Sequence, residues 1–254
     1  MNILIVHKNK NLNNKKNLIN FIKKHNHNID FIWKNKLNSE HIKDKNLIIS
    51  IGGDGTFLSA SHFITNQLIL GVNLNHNTSE GALTSVKLHK LERKLKNIFN
   101  KKYKIKTYQR EKVIIHQKQK CIKTEHALNE TYIGNKNPHH PSNYIIKYRK
   151  KQEHQRSSGV LITTGTGSTA WYKAMKGKPY KRNKQELRFK IRELYTGRIY
   201  KQKMKKGRIK KQDKIEIISK MNHGILAIDS IRTYNIKEDD KITISLGLPL
   251  KVIQ

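Results

Sequence analysis

Cysteine is almost absent: Cys121 stands alone in 254 residues. That excludes an intrachain disulfide and a thiolate zinc cluster, and it fits a reducing, cytoplasmic setting. Acidic residues are scarce as well, 18 against 53 Lys and Arg, so the formal charge is +35 and polyanions become candidate partners. The lysines are spread through every segment instead of forming one stripe. The charge therefore reads as a whole-chain bias that attracts nucleic acid at low salt without sequence preference. No apolar stretch approaches the roughly 18 residues of a membrane span, and Ile3 to Val6 is too short for the apolar part of a signal peptide. The chain reads as soluble, with no membrane partner and no specific nucleic-acid partner. Glycine is sparse too, yet Gly52, Gly53, Gly55, Gly165 and Gly167 fall in two short stretches, which marks both for inspection.

The length is that of one large or two modest domains. Met1 to Val6 predicts a strand, and Leu18, Ile19, Phe21 and Ile22 share one helical face. Asn28 to Trp33 predicts a second strand. Leu47 to Ile51 is a continuous apolar run ending in Gly52-Gly53, the pattern of a strand buried on both faces. Helix is expected again near Phe57, strand over Gln67 to Val72, and helix over Lys87 to Phe99 with Leu88, Leu91, Leu95 and Ile98 in period. Strands alternating with helices indicate an α/β layer on a parallel sheet. Beyond about Lys101 the texture changes to short strand-like runs: Lys112 to His116, Ala127 to Ile133, Tyr144 to Tyr148, Val160 to Thr163, Ile215 to Ile218, Ile225 to Ile228 and Ile242 to Leu246. These predict a second, all-β domain. The expected division is an α/β domain over residues 1–104 and a β-rich, sandwich-like domain over 105–254, with the last residues packing back towards the first. Tyr200 to Lys214 is expected to be a loop or hairpin, and Lys8 to Lys16 a solvated loop.

Gly52-Gly53-Asp54-Gly55-Thr56 follows the buried strand directly. Its glycines let the backbone turn tightly and bring N–H groups close to a phosphate, while Asp54 can take a proton or hold a metal. The string alone does not identify the acceptor of a phosphoryl group. A second stretch, Thr163 to Trp171, contains Thr166, Gly167, Ser168, Thr169 and Ala170, whose hydroxyls and close backbone approach suit a nucleotide. Between the two lies Asn129-Glu130, a carboxamide beside a carboxylate, the donor and acceptor pair that a ribose diol needs.

The ordered set GGDGTFL (Gly52 to Leu58), GVN (Gly71 to Asn73), ALNE (Ala127 to Glu130) and TTGTGSTAW (Thr163 to Trp171) resembles the NAD kinase family. The resemblance is good over roughly residues 45 to 171. It is weaker near Ala227-Ile228-Asp229 and Pro249 to Ile253, and the variants Ser79-Glu80-Gly81 and Thr164-Gly165-Thr166-Gly167 look closer to the branch that includes the mitochondrial-type enzymes than to the common bacterial form. It implies an α/β Rossmann-like domain followed by a β-rich one, and phosphorylation of the adenosine-ribose 2′-hydroxyl of NAD by ATP with Mg²⁺, or by another phosphoryl donor. It further implies association as homodimers or homotetramers. By resemblance Asp54 is the catalytic residue, Asn129 and Glu130 bind the ribose, and Thr169 and Ala170 line the adenine and ribose site. Gly52, Gly53, Gly55, Thr56, Asn73, Thr166, Gly167 and Ser168 complete the expected nucleotide contacts, and no residue is assigned as a standing metal ligand. The family commonly has aspartate where this chain has Ser158, Phe where it has Ala82 and Tyr where it has Trp171; Ser158 is included in the expected site.

His139-His140, His126 and Cys121 are read as structural or solvent-facing, and Asp229, at a position that resembles the family's, is equally well a turn aspartate. Two other functions use the same residues. A lipid or small-molecule kinase would share the GGDGT turn but gives no reason for Asn129-Glu130. A basic nucleic-acid-binding protein on a kinase-like scaffold has the charge but none of the recognised motifs.

Overall fold

The structure is a computed structural model that describes residues 1–8, 15–74, 81–198 and 202–254. Contacts divide the chain into two compact units, Met1–Thr107 with Leu250–Gln254, and Tyr108–Pro249. In the first unit the order is β1 (Asn2–His7), α1 (Lys15–Lys24), β2 (Asn28–Trp33), β3 (Leu47–Gly52), α2 (Asp54–Ser61), β4 (Leu68–Asn73), β5 (Val86–Lys87), α3 (Leu91–Phe99) and β6 (Ile105–Tyr108). The sheet runs β2-β1-β3-β4, with parallel pairing throughout, as strand–helix alternation requires. All six residues of β3 are buried, which is why its sequence shows no alternation. Leu18 and Ile22 of α1 and Leu91, Leu95 and Ile98 of α3 face the same core, at the spacing that puts them on one side of a helix. The helix expected from Lys87 begins only at Leu91, after a 3-10 turn over Leu88–Lys90. The expected loop at Lys8 to Lys16 falls largely outside the described residues.

The second unit contains β7 (Glu111–His116), β8 (Cys121–Lys123), β9 (Glu130–Asn135), β10 (Ser142–Tyr148), β11 (Lys151–Ser157), β12 (Val160–Thr163), α4 (Trp171–Ala174), β13 (Glu186–Ile191), β14 (Lys206–Lys210), β15 (Ile215–Ser219), β16 (Gly224–Ile228), β17 (Arg232–Ile236) and β18 (Lys241–Leu246). They form two six-stranded sheets, β11-β10-β15-β18-β7-β8 and β14-β13-β12-β9-β16-β17, antiparallel at every pairing described. One apolar cluster draws on both: Tyr144, Ile146, Ile215, Ile217 and Ile242 from the first sheet, Ile133, Ile162, Phe189 and Leu226 from the second. That is a β-sandwich core. The chain then returns to the first unit, where β19 (Leu250–Ile253) pairs parallel with β4.

Within the stretch expected to be loop or hairpin, Lys206–Lys210 is the strand β14. The strand expected from Ala127 starts at Glu130, and Ala127 contributes only an isolated bridge to Glu111. Asn129 therefore lies in the loop that leads into β9. Among the described residues no helix is long and apolar enough to cross a membrane.

Candidate active site

The GGDGT string is the link between β3 and α2. Gly53 caps the helix in an extended conformation, φ −97° and ψ −171°, and Asp54 is its first residue. A carboxylate in a first turn is favoured by the helix dipole, and the N–H groups of that turn face away from the helix, where an anion can meet them. Gly52 has to be glycine because a Cβ there would run into the Thr56 side chain. Gly55 faces open space, leaving room beside the backbone for a ligand. Thr56 is buried and belongs to the support of the turn.

Asp54 is not free to swing. Its Oδ1 accepts the Leu83 N–H at 2.9 Å and its Oδ2 accepts the Ala82 N–H at 3.1 Å. The turn that supplies these donors opens with Gly81 at φ +63°, a conformation that suits glycine, and a Cβ there would lie 2.6 Å from the Asn73 amide nitrogen. Asn73 is itself buried at the end of β4. The first unit thus gathers Gly52, Gly53, Asp54, Gly55, Thr56 and Asn73 around one turn, together with Gly81 to Leu83, whose part in holding Asp54 the sequence did not reveal. Ser79 and Glu80 lie outside the described residues.

In the second unit the Thr163 to Trp171 stretch folds over the Leu128-Asn129-Glu130 segment. Thr164 donates its N–H to the Asn129 carbonyl at 2.9 Å and its hydroxyl to the Leu128 carbonyl at 2.5 Å. The Thr164 hydroxyl in turn accepts the N–H groups of Thr166 at 3.0 Å and Gly167 at 3.2 Å. A Cβ on Gly167 would strike the Asn129 carbonyl, so glycine there permits the close approach of the two segments. Ser168 is committed elsewhere. Its hydroxyl bonds the Gly165 carbonyl at 2.7 Å and receives the Tyr180 N–H at 3.0 Å, a loop-closing task. Thr169 and Ala170 are exposed at the end of the stretch, and Thr166 is buried. Ser158 lies on the turn between β11 and β12. Its carbonyl accepts the Tyr132 hydroxyl at 2.8 Å, and Tyr132 packs on Trp171 at 5.1 Å with the Arg192 guanidinium 5.2 Å from the Trp171 ring. Aromatic rings with a cation over them thus stand where the sequence has Ser158 and Trp171.

Buried charge surrounds the Asn129-Glu130 pair. Glu130 is 6% exposed, and burial, then the charge of Asp229, push its carboxyl up to about 8. Glu111, fully buried, is raised well above the ordinary carboxylate range, chiefly by burial. Arg110 is also fully buried; burial lowers its guanidinium to about 10, opposed by the Asp229 charge, and its Nε donates to the Leu248 carbonyl at 2.8 Å. Nothing local in the sequence distinguishes Arg110 and Glu111 from strand-end residues, and Asp229, at a position that resembles the family's, reads equally well as a turn aspartate. Among the described residues no group of three or more His, Cys, Asp or Glu side chains could hold a metal ion.

A parallel α/β unit with a glycine-rich turn opening a helix at an aspartate, followed in one chain by a sandwich with a second glycine and hydroxyl loop, defines a two-unit nucleotide phosphotransferase class. Residues 3–103 match the ATP-NAD kinase N-terminal domain. The NAD kinase of Streptococcus agalactiae serotype V is 30% identical over 209 residues, 80% of this chain and 73% of that protein. The NAD kinase of Streptococcus pyogenes serotype M3 is 27% identical over 205 residues, 79% and 72% of the two chains. The chain belongs to the NAD kinase family. In fold it is similar to an Archaeoglobus fulgidus NAD kinase solved with ATP, at TM-score 0.79 and 19% identity over 100% of this chain and 94% of that one. It is likewise similar to yeast NADH kinase solved with NADH, at TM-score 0.82 and 16% identity, covering 100% and 83%.

Proposed function

We propose that this chain transfers the γ-phosphoryl group of ATP to the 2′-hydroxyl of the adenosine ribose of NAD, giving NADP and ADP. The observation that carries the reading is Asp54, opening a helix on a glycine-rich turn with both carboxylate oxygens fixed by backbone N–H groups. Membership of the NAD kinase family and the activities for which its relatives are named support it.

In this reading the N–H groups of the Gly53 to Gly55 turn receive the donor phosphates, whose charge they and the helix dipole offset. Asn129 and Glu130 take the ribose: the carboxamide donates and the carboxylate accepts, fixing the hydroxyl to be phosphorylated. Thr169 and Ala170, exposed beside them, face the nucleoside, and Thr166, Gly167 and Ser168 shape the loop behind. Asp54 orients the 2′-hydroxyl and accepts its proton as the oxygen attacks the γ-phosphorus and the bond to the ADP oxygen breaks. Mg²⁺ enters with ATP and supplies charge neutralisation on the phosphates. We place the protein in the cytoplasm as a homodimer or homotetramer, without membrane or specific nucleic-acid partners; light scattering on the purified protein tests the assembly.

Purified protein incubated with Mg²⁺, ATP and NAD should form NADP, read by an NADP-specific dehydrogenase. Folded protein that forms none from NAD or NADH, with ATP or polyphosphate, would overturn the reading.

A further inference from the structure

The turn between β16 and β17 is a four-residue hairpin turn, Ile228 to Ile231, closed by the Ile231 N–H to the Ile228 carbonyl at 2.9 Å. Its two central residues, Asp229 and Ser230, both have positive φ, +51° and +54°. Two left-handed central residues make a type I′ turn, for which Asn-Gly is the relaxed solution. Asp-Ser is a strained one, since each non-glycine residue in that region costs about 1–2 kcal/mol. Strain of this kind persists where surrounding contacts over-determine it.

Those contacts lead to the proposed ribose pair. Asp229 is 3% exposed. Its Oδ2 accepts the Leu128 N–H at 2.9 Å, and its Oδ1 accepts the N–H groups of Asn129 at 2.7 Å and Glu130 at 3.1 Å. The Asp229 N–H returns a bond to the Glu130 carbonyl at 3.0 Å. A turn aspartate that served only its turn would bond backbone within two residues. This one instead binds three consecutive amides about 100 residues away, in the segment that ends in Asn129 and Glu130.

We infer that Asp229 is a positioning residue for the dinucleotide: its carboxylate fixes the backbone that presents Asn129 and Glu130. The inference rests on the proposed role of that pair. The charge that opposes Glu130 ionisation is Asp229 from the β16–β17 turn; Glu111 from β7 is buried nearby and is itself raised in part by Glu130, and the Arg110 guanidinium, buried before β7, interacts favourably with Asp229. Thr131, next to Glu130 on β9, is buried beside it. Removal of the Asp229 charge removes a like charge from beside Glu130, so Glu130 must ionise at lower pH.

The test is NAD binding by titration calorimetry as a function of pH, in wild type, Asp229→Asn, Asp229→Glu and Glu130→Gln, with circular dichroism to verify folding. Wild type should bind NAD more tightly as pH rises through about 8, as Glu130 ionises. Asp229→Asn should weaken binding about tenfold or more, the cost of losing charge-assisted bonds to the amides, and should move the midpoint to lower pH by about 1. Asp229→Glu keeps the charge but misplaces it, so it should weaken binding and leave the midpoint where it is; this arm stands should the asparagine variant not fold. Glu130→Gln should abolish the midpoint. A merely structural Asp229 would weaken binding with no movement of the midpoint in Asp229→Asn, and that result overturns the inference, as does wild-type affinity in Asp229→Glu. Wild-type protein that binds no NAD at any pH removes the proposed function and this inference together, whereas wild-type binding with unaffected Asp229 variants removes the inference alone.

Discussion

Asp54 accepts the backbone N–H of Leu83 at 2.9 Å, a bond across 29 residues that ties the turn after β3 to the turn after β4. A side chain held at both oxygens has little rotamer freedom left to lose when a reacting hydroxyl arrives, which is the condition for efficient general-base help.

Replacing that carboxylate should therefore be costly to turnover and mild for folding. Asp54→Asn keeps the shape and one acceptor, and the expected loss in kcat is about 10²-fold to 10⁴-fold. Steady-state NADP formation measures it, with a urea melt alongside. A variant that retains more than a tenth of wild-type kcat contradicts the role.

Gly167→Ala places a methyl against the Asn129 carbonyl, and the neighbour it strikes is backbone that cannot rotate away. The expected cost is about 1–3 kcal/mol in stability. Displacement of Asn129 should also raise KM for NAD more than it lowers kcat. Chemical denaturation and initial-rate kinetics give both quantities.

Burial and the Asp229 charge raise the Glu130 carboxyl from 4.5 to about 8. Between those values the folded chain holds a proton that the unfolded chain has released. Its contribution to stability is thus fully present below about pH 4.5 and is lost as pH rises through about 8, by at most about 1.4 kcal/mol per pH unit. Glu111 acts in the same direction. Glu130→Gln should flatten the fall in melting temperature between pH 5 and 8 relative to wild type, as thermal melts across that range will register. An unchanged slope contradicts an acid held neutral by burial.

The +35 charge should bind DNA without preference. Affinities for unrelated duplexes of equal length should agree, and all should fall steeply between about 50 and 200 mM salt. Fluorescence anisotropy with several sequences measures this; one duplex bound tightly at the higher salt would mark a specific nucleic-acid function instead.

How much of this was legible in the sequence depended on where each strand lies. The buried strands β1, β3, β4 and β12 announce themselves as apolar runs because both faces, or the core face, are covered. The strands that gave no signal are mostly edges: β6, β8, β11, β14 and β17 each end a sheet or flank it on one side. Lys151–Ser157, which reads KQEHQRS, pairs in its sheet only with β10 and keeps Lys151, His154 and Arg156 exposed, with Glu153 half-buried against the Lys203 and Met204 N–H groups. Edge strands need such charge to discourage further pairing, and the same charge erases the hydrophobic pattern. At the site, Asp54 and the Asn129-Glu130 pair were readable because their motifs are contiguous in sequence. Leu83, Arg110 and Glu111 were not, and Asp229 could not be told from a turn aspartate, because their contacts reach across tens to about a hundred residues, or depend on burial that only the folded sandwich creates. The expectation that Ser168 contacts nucleotide through its hydroxyl meets a competing fact, since that hydroxyl closes its own loop.

The account rests on transfer of a phosphoryl group to one particular hydroxyl. Phosphorus NMR of the reaction of purified protein with Mg²⁺, ATP and NAD tests that directly. The account predicts a new phosphomonoester on C2′ of the adenosine ribose, formed in equal amount to ADP and absent with Asp54→Asn; ATP consumed with no such resonance, or a phosphate on any other acceptor, would contradict it.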